Sequence, residues 1–353
     1  MEKVKERKSN IELLRIFAMI LIILHHYSLH GGLISIDNNV INKMIGGIAL
    51  IGGKIGVNIF VLIMGYFLID SKFNFKKFLK LILQVLTYTV TFFIINLFIR
   101  GNIDFDIIKK SFFPTTFGTY WFITTYVVIY ILSPYINYFI KNIEIEKLEL
   151  LIFILIILFS FVGLISSKFM GDIHWFFLIY IIGAYIKIYS VNINTKYFGK
   201  FSFIGYLLLI IMSCILIFLN QYSDIFYKIL IKIISMNSII VLTESVLLFL
   251  YFNNLNIKSN KIINILGKAS FGVYLLHENL IFRKLLWSNI CKVQLFYFVN
   301  PLILILHILI CMIGIYIIGT LIEIVRIILI EKNLFRIKFL DSLFNKIDNK
   351  LNF

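Results

Sequence analysis

The chain has 353 residues, of which 60% are hydrophobic and only 15% charged, a composition that excludes an ordinary soluble domain. The net charge of +16 would suit nucleic acid, but the Lys and Arg residues fall in short segments between long apolar stretches, so that reading is set aside. Cys214, Cys291 and Cys311 form no metal or redox spacing and read as apolar helix residues, and no metal ligands are expected.

Ten stretches approach the roughly 20 apolar residues needed to cross a bilayer. They are placed at 11–30, 45–69, 78–99, 119–140, 148–167, 173–190, 201–220, 229–252, 269–288 and 299–329. The expected fold is therefore all-α, a polytopic integral membrane bundle of about ten transmembrane helices. With both termini cytoplasmic, basic residues outside the spans favour the inner segments by about three to one. Residues 1–330 read as one transmembrane domain and 331–353 as a basic amphipathic cytoplasmic tail on the inner surface. The first stretch carries charge and lacks a small-residue cleavage site, so it reads as a span and not a signal peptide. Richness in Ile, Lys, Asn and Phe suits an AT-rich bacterial genome, hence a bacterial cytoplasmic membrane.

The first span carries Glu12, Arg15, His25, His26 and His30. An ionisable residue at membrane depth costs free energy and marks a functional site by default. Arg15 and His26 are eleven residues apart, about three turns plus roughly 20°, so they share a face about 16 Å apart along the axis. Glu12 and His30 fall on the same side, whereas His25 points elsewhere. Histidine can exchange a proton near neutral pH, and arginine holds its charge and can bind phosphate.

The second span carries Lys54 and Asn58 at i,i+4, with Gly52, Gly53 and Gly56 allowing close approach of a neighbouring helix. Lys72, Lys76 and Lys77 follow on the inner side. The loop at 100–118 is the longest outside and reads as a cap over an outward-facing cavity. Tyr120, Trp121, His174 and Trp175 suit a membrane interface. Pro134 marks a kink or the inner end of the fourth span. Glu244 in the eighth span needs a partner, such as Lys232. In the ninth, Tyr274 and His277 share a face at i,i+3, while the adjacent His277 and Glu278 diverge by about 100° and are assigned different partners. His307 in the last span reads as a hydrogen-bonded packing residue.

Together these stretches resemble the acyltransferase 3 family of integral membrane acyltransferases. The resemblance begins with Asn10-Ile11-Glu12-Leu13-Leu14-Arg15 through His26, where ten residues separate Arg from His; the family's acidic residue is usually Asp, and here it is Glu12. It continues through Gly56-Val57-Asn58-Ile59-Phe60, with Met64 where Ser is common, through Trp121-Phe122 to Ser133-Pro134, and ends at Tyr274-Leu275-Leu276-His277. The resemblance implies transfer of an acyl group, usually acetyl, from a cytoplasmic donor such as acetyl-CoA to a hydroxyl of an extracytoplasmic glycan (exopolysaccharide, capsule or another surface polysaccharide). No cofactor is expected to be tightly bound, since the acyl-CoA is a substrate. His26 is then the expected base or acyl relay and Arg15 the donor-binding or orienting residue. Glu12, Tyr274, His277 and Glu278 support them, and Lys54, Lys72, Lys76 and Lys77 are further donor-binding candidates. The competing reading is a transporter or flippase for a glycolipid or small anion, which would use the same charged stripe without leaving acyl label on a glycan. A glycan polymerase and a noncatalytic scaffold are weaker alternatives. The oligomeric state is left open.

Overall fold

The computed structural model describes residues 8–36, 39–100, 104–162, 171–189 and 197–334, together with Phe344, Ile347, Asp348 and Lys350. Most of the expected tail at 331–353 lies outside the described residues. The described residues are helical and contain no strand. Helix α1 (Ser9–Gly31) ends at Gly32, whose φ of 76° is left-handed and returns its N–H to the Ser28 carbonyl. Helix α2 (Val40–Leu68) starts where the Asn39 side chain accepts from the Asn42 N–H, a side-chain cap for an otherwise orphaned donor. They are followed by α3 (Phe75–Arg100), a short α4 (Phe105–Phe112), α5 (Trp121–Asn142), α6 (Ile145–Ile156), α7 (Asp172–Tyr189) and α8 (Phe198–Leu219). The chain then forms α9 (Ile225–Ile233), α10 (Ile239–Asn253), α11 (Lys261–His277) and α12 (Pro301–Arg326).

Seven helices among the described residues are long and apolar enough to cross a membrane, which makes the chain a polytopic all-α membrane protein. The expected stretches differ from the observed helices in instructive places. Stretch 229–252 is broken into α9 and α10 at Ile234–Ser238. Ser235, Asn237 and Ser238 favour local bonds over a helical ladder. The exposed carbonyls there are taken up by other helices: Asn58 donates to the Met236 carbonyl at 3.1 Å and Ser160 to that of Asn237 at 2.7 Å. Such satisfaction is what a non-helical turn packed among apolar helices requires. The ninth stretch is displaced towards the N-terminus. It begins at Lys261, with the Asn260 side chain accepting from the N–H groups of Ile262 and Ile263, and ends at His277. Asn279 then accepts from Ile281 and Phe282, starting a new turn in another direction. Pro134 lies inside α5, which runs on to Asn142.

Helix α2 is the most buried of the seven, while α3, α8 and α12 turn most of their surface outward. An apolar outward face needs only lipid as its neighbour. The most extensive pairing is α1 with α2, followed by α2 with α7, then α1 and α12 with α11. Small residues set these separations. A Cβ on Gly65 would stand 2.2 Å from the Tyr180 carbonyl oxygen, and one on Gly183 would stand 2.4 Å from that of Leu62. Both clashes are with backbone, which cannot rotate away. Gly65→Ala is therefore expected to cost about 1–3 kcal/mol or more, read as a lower melting temperature of the detergent-solubilised protein. An unchanged melting temperature would contradict this α2–α7 contact.

Candidate active site

The close pairing of α1 with α2 also orients the histidines. A Cβ on Gly53 would lie 2.2 Å from the His25 ring, and one on Gly56 would lie 2.6 Å from the Ala18 carbonyl. His25 thus packs onto α2, with Nδ1 2.8 Å from the Leu50 carbonyl. That nitrogen points away from His26's partners as the helical wheel requires, but the His25 ring still borders the same cavity. His26 turns to α11, where its Nδ1 lies 2.9 Å from His277 Nε2 and 3.4 Å from Glu278 Oε2.

The proton positions follow from this network. His277 Nδ1 faces the Val273 carbonyl at 2.6 Å. A carbonyl only accepts, so His277 Nδ1 carries the hydrogen and, in the neutral ring, its Nε2 is the acceptor. His26 Nδ1 must then be the donor, and the lone pair of the neutral His26 ring is on Nε2. The assignment rests on hydrogen-bond complementarity.

His277 and Glu278 have different hydrogen-bond partners, as adjacent residues do, His277 the Val273 carbonyl and His26, Glu278 His30 and Arg283, but Glu278 also comes within 3.4 Å of His26. The helix ends between them, with Glu278 at φ −99°, ψ 4°, and both reach His26. Glu278 is also held by His30 Nε2 at 2.9 Å and Arg283 Nη1 at 2.6 Å. The ligating atoms of His26, His30 and Glu278 lie within 4.8 Å of one another, a spacing that a metal ion could use. Here, however, Arg283 already supplies positive charge to the carboxylate, and His26 Nδ1 is committed to a hydrogen bond.

A cavity of about 260 Å³ opens beside this cluster, bordered by His26, Lys54, Trp121, Tyr274 and Arg283 among others. Lys54 Nζ sits 4.9 Å from the Trp121 ring centroid, a cation–π distance. Tyr274 is buried, with its ring 6.0 Å from that of His277. A second cavity, of about 220 Å³, is bordered by Arg15, Tyr126, Lys268 and Ser270. Phe60, Phe122 and Phe271 border both. Arg15 and His26 therefore face two chambers with a common wall, in keeping with their shared helical face.

Arg15 Nε is buried without a hydrogen-bond partner among the described residues. Glu12 is buried against α11, where a Cβ on Gly267 would meet its Oε2 at 2.5 Å. Lys54 is in the His26 chamber and not beside Arg15. Lys72 and Lys77 are exposed and Lys76 is half-buried, and none of the three borders either chamber.

Several polar and aromatic residues are placed differently from the sequence reading. Tyr120 and Trp175 are fully buried and not interfacial: the Tyr120 hydroxyl donates to the Leu275 carbonyl at 2.8 Å, and Trp175 Nε1 to Asn58 Oδ1 at 3.0 Å. Glu244 accepts from the Ser202 hydroxyl and not from Lys232. His307 bonds the Tyr27 hydroxyl at 2.7 Å, a packing contact as expected. Helix α4, in the loop expected to cap an outward-facing cavity, packs on α3, with Thr89 donating to the Ser111 carbonyl at 2.6 Å, and does not border the His26 cavity. The sequence reading did not single out Arg283 or Lys268 as site residues. His30, one turn beyond His26, carried a usable spacing signal; Arg283 lies past a helix end and carried none.

A family model described as an acyltransferase domain, the acyltransferase 3 domain, matches residues 8–323. No curated protein and no solved structure matches the chain.

Proposed function

The chain belongs to the acyltransferase 3 family, and from that premise we propose that this multi-pass membrane acyltransferase moves an acyl group, acetyl in the first instance, from a cytoplasmic acyl-CoA to a hydroxyl of an extracytoplasmic glycan in a bacterial cytoplasmic membrane. The observation that carries this reading is the pair of chambers on one face of α1, Arg15 bordering one and His26 the other, with a common phenylalanine wall. Arg15 and Lys268 supply positive charge for the donor's phosphates. The inner-side Lys72, Lys76 and Lys77 raise the local concentration of an anionic donor without touching it. The about 16 Å between Arg15 and His26 along the helix is spanned by the donor's flexible arm.

At the far end, His26 Nε2 takes the proton of the acceptor hydroxyl as its oxygen attacks the thioester carbon. Glu278 Oε2, 3.4 Å from His26 Nδ1, stabilises the imidazolium that results. His277 holds the ring in the tautomer that leaves Nε2 free. His30 and Arg283 fix the carboxylate.

The test is reconstitution with acyl-labelled acetyl-CoA on the Arg15 side and mass spectrometry of the glycan on the other. Label on the glycan is the expected result. Label that stays on the donor, or crosses without being attached, would favour a transporter and overturn the reading.

A further inference from the structure

The His26 chamber is bordered by histidine, lysine, arginine and tyrosine donors, and most are already spoken for. His25 Nδ1 is on the Leu50 carbonyl. His30 and Arg283 are on Glu278. Two are not: the buried Tyr274 hydroxyl has no hydrogen-bond partner, and Lys54 Nζ has no carboxylate within 4 Å, among the described residues. Both are costly. A buried hydroxyl that has given up water and gained nothing destabilises the fold, and an amine that has only a ring face against it and no counter-charge does so too. Two such costs on one cavity point to an anion that is present only during turnover.

Their placement fits. Lys54 lies against Trp121, Trp121 is 6.2 Å from Phe122 by ring centroids, and Phe122 is 5.8 Å from Tyr274. Lys54 and Tyr274 thus border one cavity and are linked along its wall by a run of aromatic rings. Tyr274 is one helical turn before His277, whose Nε2 accepts from His26. His26, Lys54 and Tyr274 all border a space of about 260 Å³, enough for an acyl carbonyl and a hydroxyl-bearing ring.

We propose that the Tyr274 hydroxyl and Lys54 Nζ form the oxyanion site of the transfer reaction. The assignment rests on the acyl-transfer reading above. The acceptor oxygen bonds to the thioester carbon and its proton passes to His26 Nε2. The carbonyl π pair moves onto oxygen, where Tyr274 O–H and Lys54 N–H bind it. On collapse the C=O re-forms, the C–S bond breaks, and the sulfur takes the proton back from His26. No oxidant or further reactant is needed. Preorganised donors of this kind contribute about 10²–10³ in kcat.

The experiment compares wild type, Tyr274→Phe, Lys54→Met and Lys54→Arg in proteoliposomes with labelled acetyl-CoA, reading kcat, both KM values and melting temperature. Tyr274→Phe keeps the ring and deletes a hydroxyl with no partner. It is expected to lose about 10²-fold in kcat with both KM values within about twofold, and a melting temperature equal to or above wild type. Lys54→Met is expected to lose kcat similarly, and Lys54→Arg, which still donates, to retain more activity than Lys54→Met. Wild-type kcat in Tyr274→Phe would overturn the assignment while leaving the reaction standing. So would lost kcat accompanied by a lowered melting temperature, or a Lys54→Met variant that changes only acceptor KM, which would make Lys54 an anchor for an anionic acceptor. A wild-type protein that transfers no label would overturn the underlying reaction first.

Discussion

His26→Gln is expected to lower acyl transfer by about 10²–10⁴-fold, the range that a positioned acid–base group contributes, while the protein remains folded. Glutamine keeps a polar side chain of similar length in place of the imidazole that now bonds His277 Nε2. It has no basic lone pair where imidazole Nε2 now stands. The loss should therefore appear in kcat, with normal yield and melting temperature of the purified protein. His25→Gln is the control. His25 also borders the cavity, but its Nδ1 is on the Leu50 carbonyl, and its loss should cost no more than about tenfold. Label transfer per mole of folded protein decides between them, and equal losses would remove the reason for assigning the base to His26.

Arg15→Ala is expected to fail in a different way. If Arg15 holds donor phosphate, its removal deletes charge-assisted hydrogen bonds and should raise the donor KM by about 10²-fold or more, with a smaller fall in kcat. Lysine keeps the charge but not the planar fork, so Arg15→Lys should fall between alanine and wild type. The fold should tolerate both changes, because Arg15 Nε is buried with no partner among the described residues. High acetyl-CoA concentration should rescue Arg15→Lys in part and His26→Gln not at all. A donor KM unchanged in Arg15→Ala would assign Arg15 to some role other than donor binding.

How far the site could be read in advance depended on which physical rule placed each residue. Arg15 and His26 were legible because both lie on one unbroken helix, and 3.6 residues per turn is rigid over three turns. The additional contact of Glu278 with His26 falls outside that rule, because the helix ends at His277. Beyond it the Asn279 side chain caps a new turn through Ile281 and Phe282. The break at Ile234–Ser238 has a visible polar run, but a span-length average of hydropathy hides it among its apolar neighbours. Tyr120 and Trp175 sat at helix ends where aromatic residues favour an interface. Their burial depends on the Leu275 carbonyl and on Asn58, partners 155 and 117 residues away. No local pattern carries such a pairing, and the same holds for Lys54 with Trp121 and Arg283 with Glu278.

The phenylalanine wall has an electrical side. A membrane potential acts on each elementary charge with about 2.3 kcal/mol per 100 mV, so a protein that joins two aqueous compartments through its centre risks discharging them. Phe60, Phe122 and Phe271 stand where the two chambers meet, and hydrophobic constrictions of this kind exclude hydrated ions by dewetting. In that role the three rings would be an insulator around the donor's arm, letting an uncharged acyl chain through while protons and salts stay on their own sides.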